Sequence, residues 1–137
     1  MFTGIIQDVG TLEKLESGLY IIKTALDLSD CKNGSSISCN GVCLTAKNII
    51  KKNEEFAFEV NIGEETLRRT NLSNGISKIN INIEKSLRIG EEIGGHFVYG
   101  HVDDVTSLMK IVKLENSWEY YFKKNFGNNN KFITEKA

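Results

Sequence analysis

Gly94-Gly95-His96-Phe97-Val98-Tyr99-Gly100-His101-Val102-Asp103-Asp104-Val105 holds both histidines of this 137-residue chain, and it repeats the chain's beginning. Laid over Phe2 to Leu12 at an offset of 96 residues, Val98 to Leu108 places Gly100 on Gly4, Asp104 on Asp8, Val105 on Val9 and Leu108 on Leu12. Val102 falls on Ile6 and Ser107 on Thr11, both conservative pairs. Self-similarity at a fixed period sets an architecture before any local reading does. Here it predicts two homologous units, residues 1–96 and 97–137. The second stops before any counterpart of Ser38-Cys39-Asn40-Gly41-Val42-Cys43-Leu44-Thr45, so the chain is expected to be part of something longer.

Outward from that stretch, strand signals dominate. Ile5 to Leu12, Leu19 to Thr24, Ser36 to Cys39 and Val42 to Ala46 read as strands, with Asn40-Gly41 as a tight hairpin turn. Phe56, Phe58 and Val60 alternate with Ala57 and Glu59. Ile79, Ile81 and Ile83 alternate with Lys78, Asn80, Asn82 and Glu84, the cleanest period-two pattern in the chain. Only Glu64 to Leu72 reads as helix, with acids at its front and bases a turn later. Trp118 to Phe122 starts a further strand, Phe126 to Asn130 is a loop, and Lys131 to Ala137 is a short helix. Short strands joined by glycine-rich turns predict a small closed barrel or sandwich, because closure removes exposed strand edges.

Composition narrows the function classes. With 40% hydrophobic and 26% charged residues the chain reads as an ordinary soluble domain able to bury a core. A net charge of -1 lacks the clustered Lys and Arg of a nucleic-acid footprint. No apolar run approaches the ~20 residues that span a bilayer, and the N-terminus has no basic, apolar leader, so the cytoplasm is expected. Three cysteines without an export signal are expected to be free thiols.

Several residues could carry chemistry. Read as one strand, residues 96–101 put His96, Val98 and Gly100 on one face and Phe97, Tyr99 and His101 on the other. Cys39-x3-Cys43 with His96-x4-His101 has the spacing of a zinc site, but histidines on opposite faces cannot share one metal without a bulge. His101 alone reads first as a half-buried histidine bonded to a backbone carbonyl, ahead of any functional role. Cys43, Cys39 and Cys31 read as small core hydrophobes. Glu64-Glu65-Thr66 reads as a helix start whose free backbone N–H groups suit a ligand bearing carbonyl oxygens. Singly, none identifies a function.

Four motifs in order do. They are Met1-Phe2-Thr3-Gly4-Ile5-Ile6, Asn40-Gly41-Val42-Cys43-Leu44-Thr45, Glu65-Thr66-Leu67-Arg68-Arg69-Thr70-Asn71-Leu72 and Ile93 to Val102. Together they resemble the riboflavin synthase α chain family, over the N-terminal part of its length. The resemblance implies an all-β fold: a six-stranded Greek-key closed barrel in residues 1–96, and the incomplete start of a second lumazine-binding barrel in residues 97–137. It implies dismutation of two 6,7-dimethyl-8-ribityllumazine molecules to riboflavin and a pyrimidinedione. No cofactor or metal takes part, the partners are that substrate and product, and the whole family protein is a homotrimer. Poor turnover is expected of these 137 residues alone.

By the same resemblance His101 and Cys43 are catalytic, with Ser36 in support. Gly4, Ile5, Ile6, Leu44, Thr45, Asn61, Ile62, Gly63, Glu64, Glu65, Thr66, Gly100 and Val102 wall the ligand site, with Lys136 as a further contact. Asn61-Ile62-Gly63 makes the approach to Glu65 longer than in some relatives, and Ala137 stands where glycine is common. Two alternatives remain: a non-catalytic lumazine- or flavin-binding protein, and a structural zinc-binding barrel.

Overall fold

The computed structural model describes residues 1–72 and 77–123. The chain divides into two compact units between Asp103 and Asp104. The first unit contains β1 (Asp8–Glu16), β2 (Leu19–Thr24), β3 (Ser36–Cys39), β4 (Val42–Thr45), β5 (Lys47–Lys52), β6 (Glu55–Asn61), α1 (Glu64–Arg69) and β7 (Lys78–Lys85). The second contains the antiparallel pair β8 (Leu108–Lys113) and β9 (Trp118–Phe122).

The seven strands of the first unit form one antiparallel sheet in the order β4-β3-β7-β1-β2-β6-β5. Its two outermost members are halves of one segment that bends at the fully buried Ala46. Counted as one, they leave six strands, and chain continuity through Ala46 curls the sheet into a barrel. The pairings β1–β7, β3–β7 and β2–β6 join strands that are not consecutive, as a Greek key requires.

The alternation in the sequence becomes inside and outside. Tyr20 and Ile22 of β2, Phe56, Phe58 and Val60 of β6, and Ile81 and Ile83 of β7 point into one buried cluster with Leu12, Ile37 and Leu44. Asn40 (φ 50°) and Gly41 (φ 83°) make the β3–β4 turn with two left-handed residues, the pair that matches strand twist.

Four elements of the first unit differ from the sequence reading, and in the second unit the strand β8 is additional to it. First, the opening strand begins at Asp8 rather than Ile5. The Thr3 and Gly4 N–H groups go to the Glu84 carboxylate instead of a strand, and Gly4 is left-handed at φ 82°. Second, β5 was not anticipated, since Lys47-Asn48-Ile49-Ile50-Lys51-Lys52 has no clean alternation. It enters the ladder with a register shift between Lys47 and Ile50, around left-handed Asn48. Third, α1 ends at Arg69, because Thr70 turns extended (φ -137°, ψ 168°) and its hydroxyl donates back to the Thr66 carbonyl at 2.7 Å. Fourth, residues 96–101 are no strand. Left-handed Gly95 and Gly100 bracket a single bridge between Val98 and Phe2.

That bridge has the spacing of the repeat, so Phe2 pairs with the residue laid over it at the 96-residue offset. It also explains why the first compact unit runs on to Asp103, past the sequence boundary at Phe97. Among the described residues no helix is long and apolar enough to cross a membrane. The loop expected at Phe126–Asn130 and the helix expected at Lys131–Ala137 lie outside the described residues.

Candidate functional site

β3 and β4 set the chemistry of the two cysteines by their register. Cys39 stands opposite Val42, and Ser38 stands opposite Cys43. Directly paired residues share a face, so Cys39 points into the barrel and Cys43 points out. The Cys39 side chain is fully buried, and that burial pushes its thiol up to about 12. Cys43 is half-buried and free. A zinc site built on Cys39 and Cys43 therefore fails on geometry, since the two thiols lie on opposite sides of the sheet. Among the described residues no three His, Cys, Asp or Glu side chains converge.

The outer face at Cys43 is closed over by the segment carrying His101. The Cys43 N–H donates to the Gly100 carbonyl at 2.8 Å. That approach needs glycine: a Cβ on Gly100 would sit 2.9 Å from Cys43 Cβ and 3.0 Å from Phe2 Cε2, at a backbone φ of 75°. His101 follows at once and is exposed. Between this segment, the start of β4 and α1 lies a cleft of about 300 Å³, within the size range of small-molecule sites. Val42, Cys43, Gly100, His101 and Val102 form one wall, and Glu65, Thr66, Arg69 and Thr70 the other.

The second wall is held by charge. Glu65 accepts from Arg69 Nε at 2.5 Å and from Arg68, and the Arg69 hydrogen bond, followed by its charge, holds the Glu65 carboxyl below the usual carboxylate range. Arg69 also donates to the Asp103 carbonyl, which ties α1 to the end of the His101 segment. The cleft thus combines a thiol, an imidazole and a hydroxyl beside apolar Val42 and Val102.

Of the residues expected at the site, the structure brings Cys43, Glu65, Thr66, Gly100, His101 and Val102 together. Leu44 and Ile62 are buried in the core cluster instead. Ser36 pairs with Thr45 one step along the same outer face as Ser38 and Cys43, so Ser38, buried, is the serine opposite Cys43. Asn61, Gly63 and Glu64 are exposed around the start of α1, and Gly4, Ile5 and Ile6 are exposed near the N-terminus. Lys136 lies outside the described residues.

Val42, Arg69 and Thr70 were not anticipated. Arg69 carried a signal, standing four residues after Glu65 on a helix. Val42 reads as core, and Thr70 as a helix end.

A curled Greek-key sheet with a small-molecule cleft beside one strand defines a ligand-binding β-barrel. Residues 3–86 match the lumazine binding domain family, and the chain belongs to it. It is 43% identical over 115 residues to riboflavin synthase of Brucella abortus, covering 80% of this chain and 57% of that protein. It is 44% identical over 107 residues to riboflavin synthase of Buchnera aphidicola, covering 74% and 49%. Riboflavin synthase of Chlamydia trachomatis is 37% identical over 140 residues, covering 100% of this chain and 66% of the enzyme. The chain thus spans about half the length of the first two relatives. Among solved structures, LumP complexed with riboflavin superposes with a TM-score of 0.66 at 20% identity, covering 90% of this chain and 67% of that one. That likeness is one of fold.

Proposed function

We propose that the chain is the lumazine-binding part of a riboflavin synthase. Its cleft takes one 6,7-dimethyl-8-ribityllumazine or one riboflavin. In the reaction one lumazine donates a four-carbon unit to the other, giving riboflavin and a pyrimidinedione. The ring is its own electron sink, since the C7 methyl carbanion delocalises into it. No metal or organic cofactor is then required of the protein. Its tasks are to hold two rings face to face and to move protons, and holding a bimolecular pair in register is where much of the rate arises.

The reading rests above all on one observation: the Cys43 N–H to Gly100 carbonyl bond puts a thiol and His101 on the same side of one cleft. His101 suits the proton transfers and Cys43 the acceptor side, with Ser36 in support. Thr45, Asn61, Gly63 to Thr66, Gly4 to Ile6, Val102 and Lys136 are the further ligand contacts proposed. Residues 97–137 correspond to the opening of a second barrel. Two stacked ligands need two barrel faces, so these 137 residues alone should bind well and turn over slowly. The whole enzyme is proposed to be cytoplasmic and trimeric.

Titration with riboflavin, followed by quenching of its fluorescence, tests the site. Saturable quenching that weakens in Thr66→Ala supports it, and no quenching at millimolar protein sinks it. A second reading, binding without catalysis, is favoured by the fold shared with a riboflavin-bound protein. Cys43→Ala and His101→Ala separate the two. The enzyme loses turnover in the full-length context while ligand binding survives, and a pure binder has no turnover to lose.

A further inference from the structure

Glu84 stands on the polar side of β7, where the sequence pattern gives it to solvent, yet it is 4% exposed. Its Oε1 accepts the Thr3 N–H at 2.6 Å and the Thr3 hydroxyl at 2.7 Å, and its Oε2 accepts the Gly4 N–H at 3.1 Å. One carboxylate therefore gathers three donors from the N-terminal segment. That segment in turn carries the one holding His101. Phe2 and Val98 exchange both backbone hydrogen bonds (2.7 and 3.0 Å), and the His96 N–H donates to the Thr3 carbonyl at 2.9 Å. Two residues beyond Val98, the Gly100 carbonyl takes the Cys43 N–H. Glu84, Ser38 and Cys43 also stand directly opposite one another across β7, β3 and β4, so the carboxylate and the thiol belong to one outward row.

We propose that Glu84 is a positioning residue for the cleft, fastening Thr3 and Gly4 so that the paired Val98–His101 segment stays seated on Cys43. A stabilising carboxylate in general would tighten the whole barrel. This one acts along a specified path, because its partners lie on the N-terminal segment and the core strands β2 and β6 give it none among the described residues. Removing this acceptor leaves three part-buried donors of the N-terminal segment without their partner, a penalty concentrated on that segment.

Amide hydrogen exchange of the unliganded chain tests the path without any ligand, and so independently of the flavin-binding reading above. In Glu84→Gln the amides of Phe2, His96, Val98 and Cys43 should exchange about tenfold faster or more, with those of β2 and β6 unchanged. Thr3→Val should give the same pattern more weakly, Thr3→Ser should restore protection, and the double variant Thr3→Val/Glu84→Gln should be no worse than Glu84→Gln. Thr3→Val also keeps the test open should Glu84→Gln fail to fold. Riboflavin affinity should fall about tenfold in Glu84→Gln and recover in none of the valine variants. Uniformly faster exchange over all strands, or a freed N-terminus with Val98 and Cys43 still protected, would overturn the proposal.

Discussion

Residues 2–12 and 98–108 begin with the same pattern and end in different surroundings. Gly4 and Gly100 share a left-handed backbone, at φ 82° and 75°. Gly100 is buried against Cys43, whereas a Cβ on Gly4 would meet only Val98 Cγ2, at 3.6 Å. Phe2 is fully buried, and Val98 half-buried. Asp8 opens a strand paired on both sides and accepts the Thr24 hydroxyl and the Ala25 and Leu26 N–H groups. Asp104 accepts only the neighbouring Val105 N–H among the described residues, and β8 does not start until Leu108. A repeated sequence thus fixes backbone conformation at its glycine, while burial and pairing depend on which strands stand beside each copy.

Substitutions at equivalent positions can break that comparison. The largest difference should come from Phe2→Ala, costing about 3–4 kcal/mol by loss of a buried aromatic ring, against about 1 kcal/mol for Val98→Ala. Urea unfolding of both variants would show it, and equal midpoints would refute it. Gly100→Ala follows, at about 3 kcal/mol, because left-handed strain adds to a clash with Cys43 and Phe2. Flavin quenching should vanish with it, whereas Gly4→Ala should cost about 1 kcal/mol and weaken quenching without abolishing it.

A smaller contrast is expected at the aspartates. The Thr24 hydroxyl, ahead of the backbone donors, holds the Asp8 carboxyl below its ordinary value of 3.8. A depressed carboxyl stabilises the fold above its unfolded pKa, and that contribution is lost as pH falls through the folded value. Asp8→Asn should therefore lower stability by about 1 kcal/mol at neutral pH, after allowance for solvent, with the melting curves of variant and parent converging below pH ~4. Asp104→Asn should change stability by less than about 0.5 kcal/mol at any pH. Parallel curves for Asp8→Asn and its parent through acid pH would contradict the assignment.

The strands were legible wherever one face was apolar. Phe56-x-Phe58-x-Val60 and Ile79-x-Ile81-x-Ile83 announce a half-buried sheet, and the Asn40-Gly41 turn announces its hairpin. Cys43, Thr66 and His101 stand out in the sequence only as members of ordered motifs, since each alone passes for a core or cap residue, and it is the fold that brings them to one cleft. The opening strand was read three residues too early because Ile5 and Ile6 are apolar. Nothing local reveals that Thr3 and Gly4 are caught by a carboxylate 80 residues on. Nor does anything local say that Ser38 rather than Ser36 stands opposite Cys43: both lie on the outer face, and only strand register separates them.

By itself the sequence determined the all-β class, the repeat, the tight Asn40-Gly41 turn and the residues that alternate into the core. These follow from side-chain period and backbone sterics, which act within a few residues. Only the tertiary structure decided that β4 and β5 are one bent strand closing the barrel, that Cys39 and Cys43 face opposite ways, and that Glu84 is buried under the N-terminus. Those outcomes depend on pairing register and on donors distant in the chain, and a single polar residue in a strand looks the same whether water or a backbone N–H awaits it.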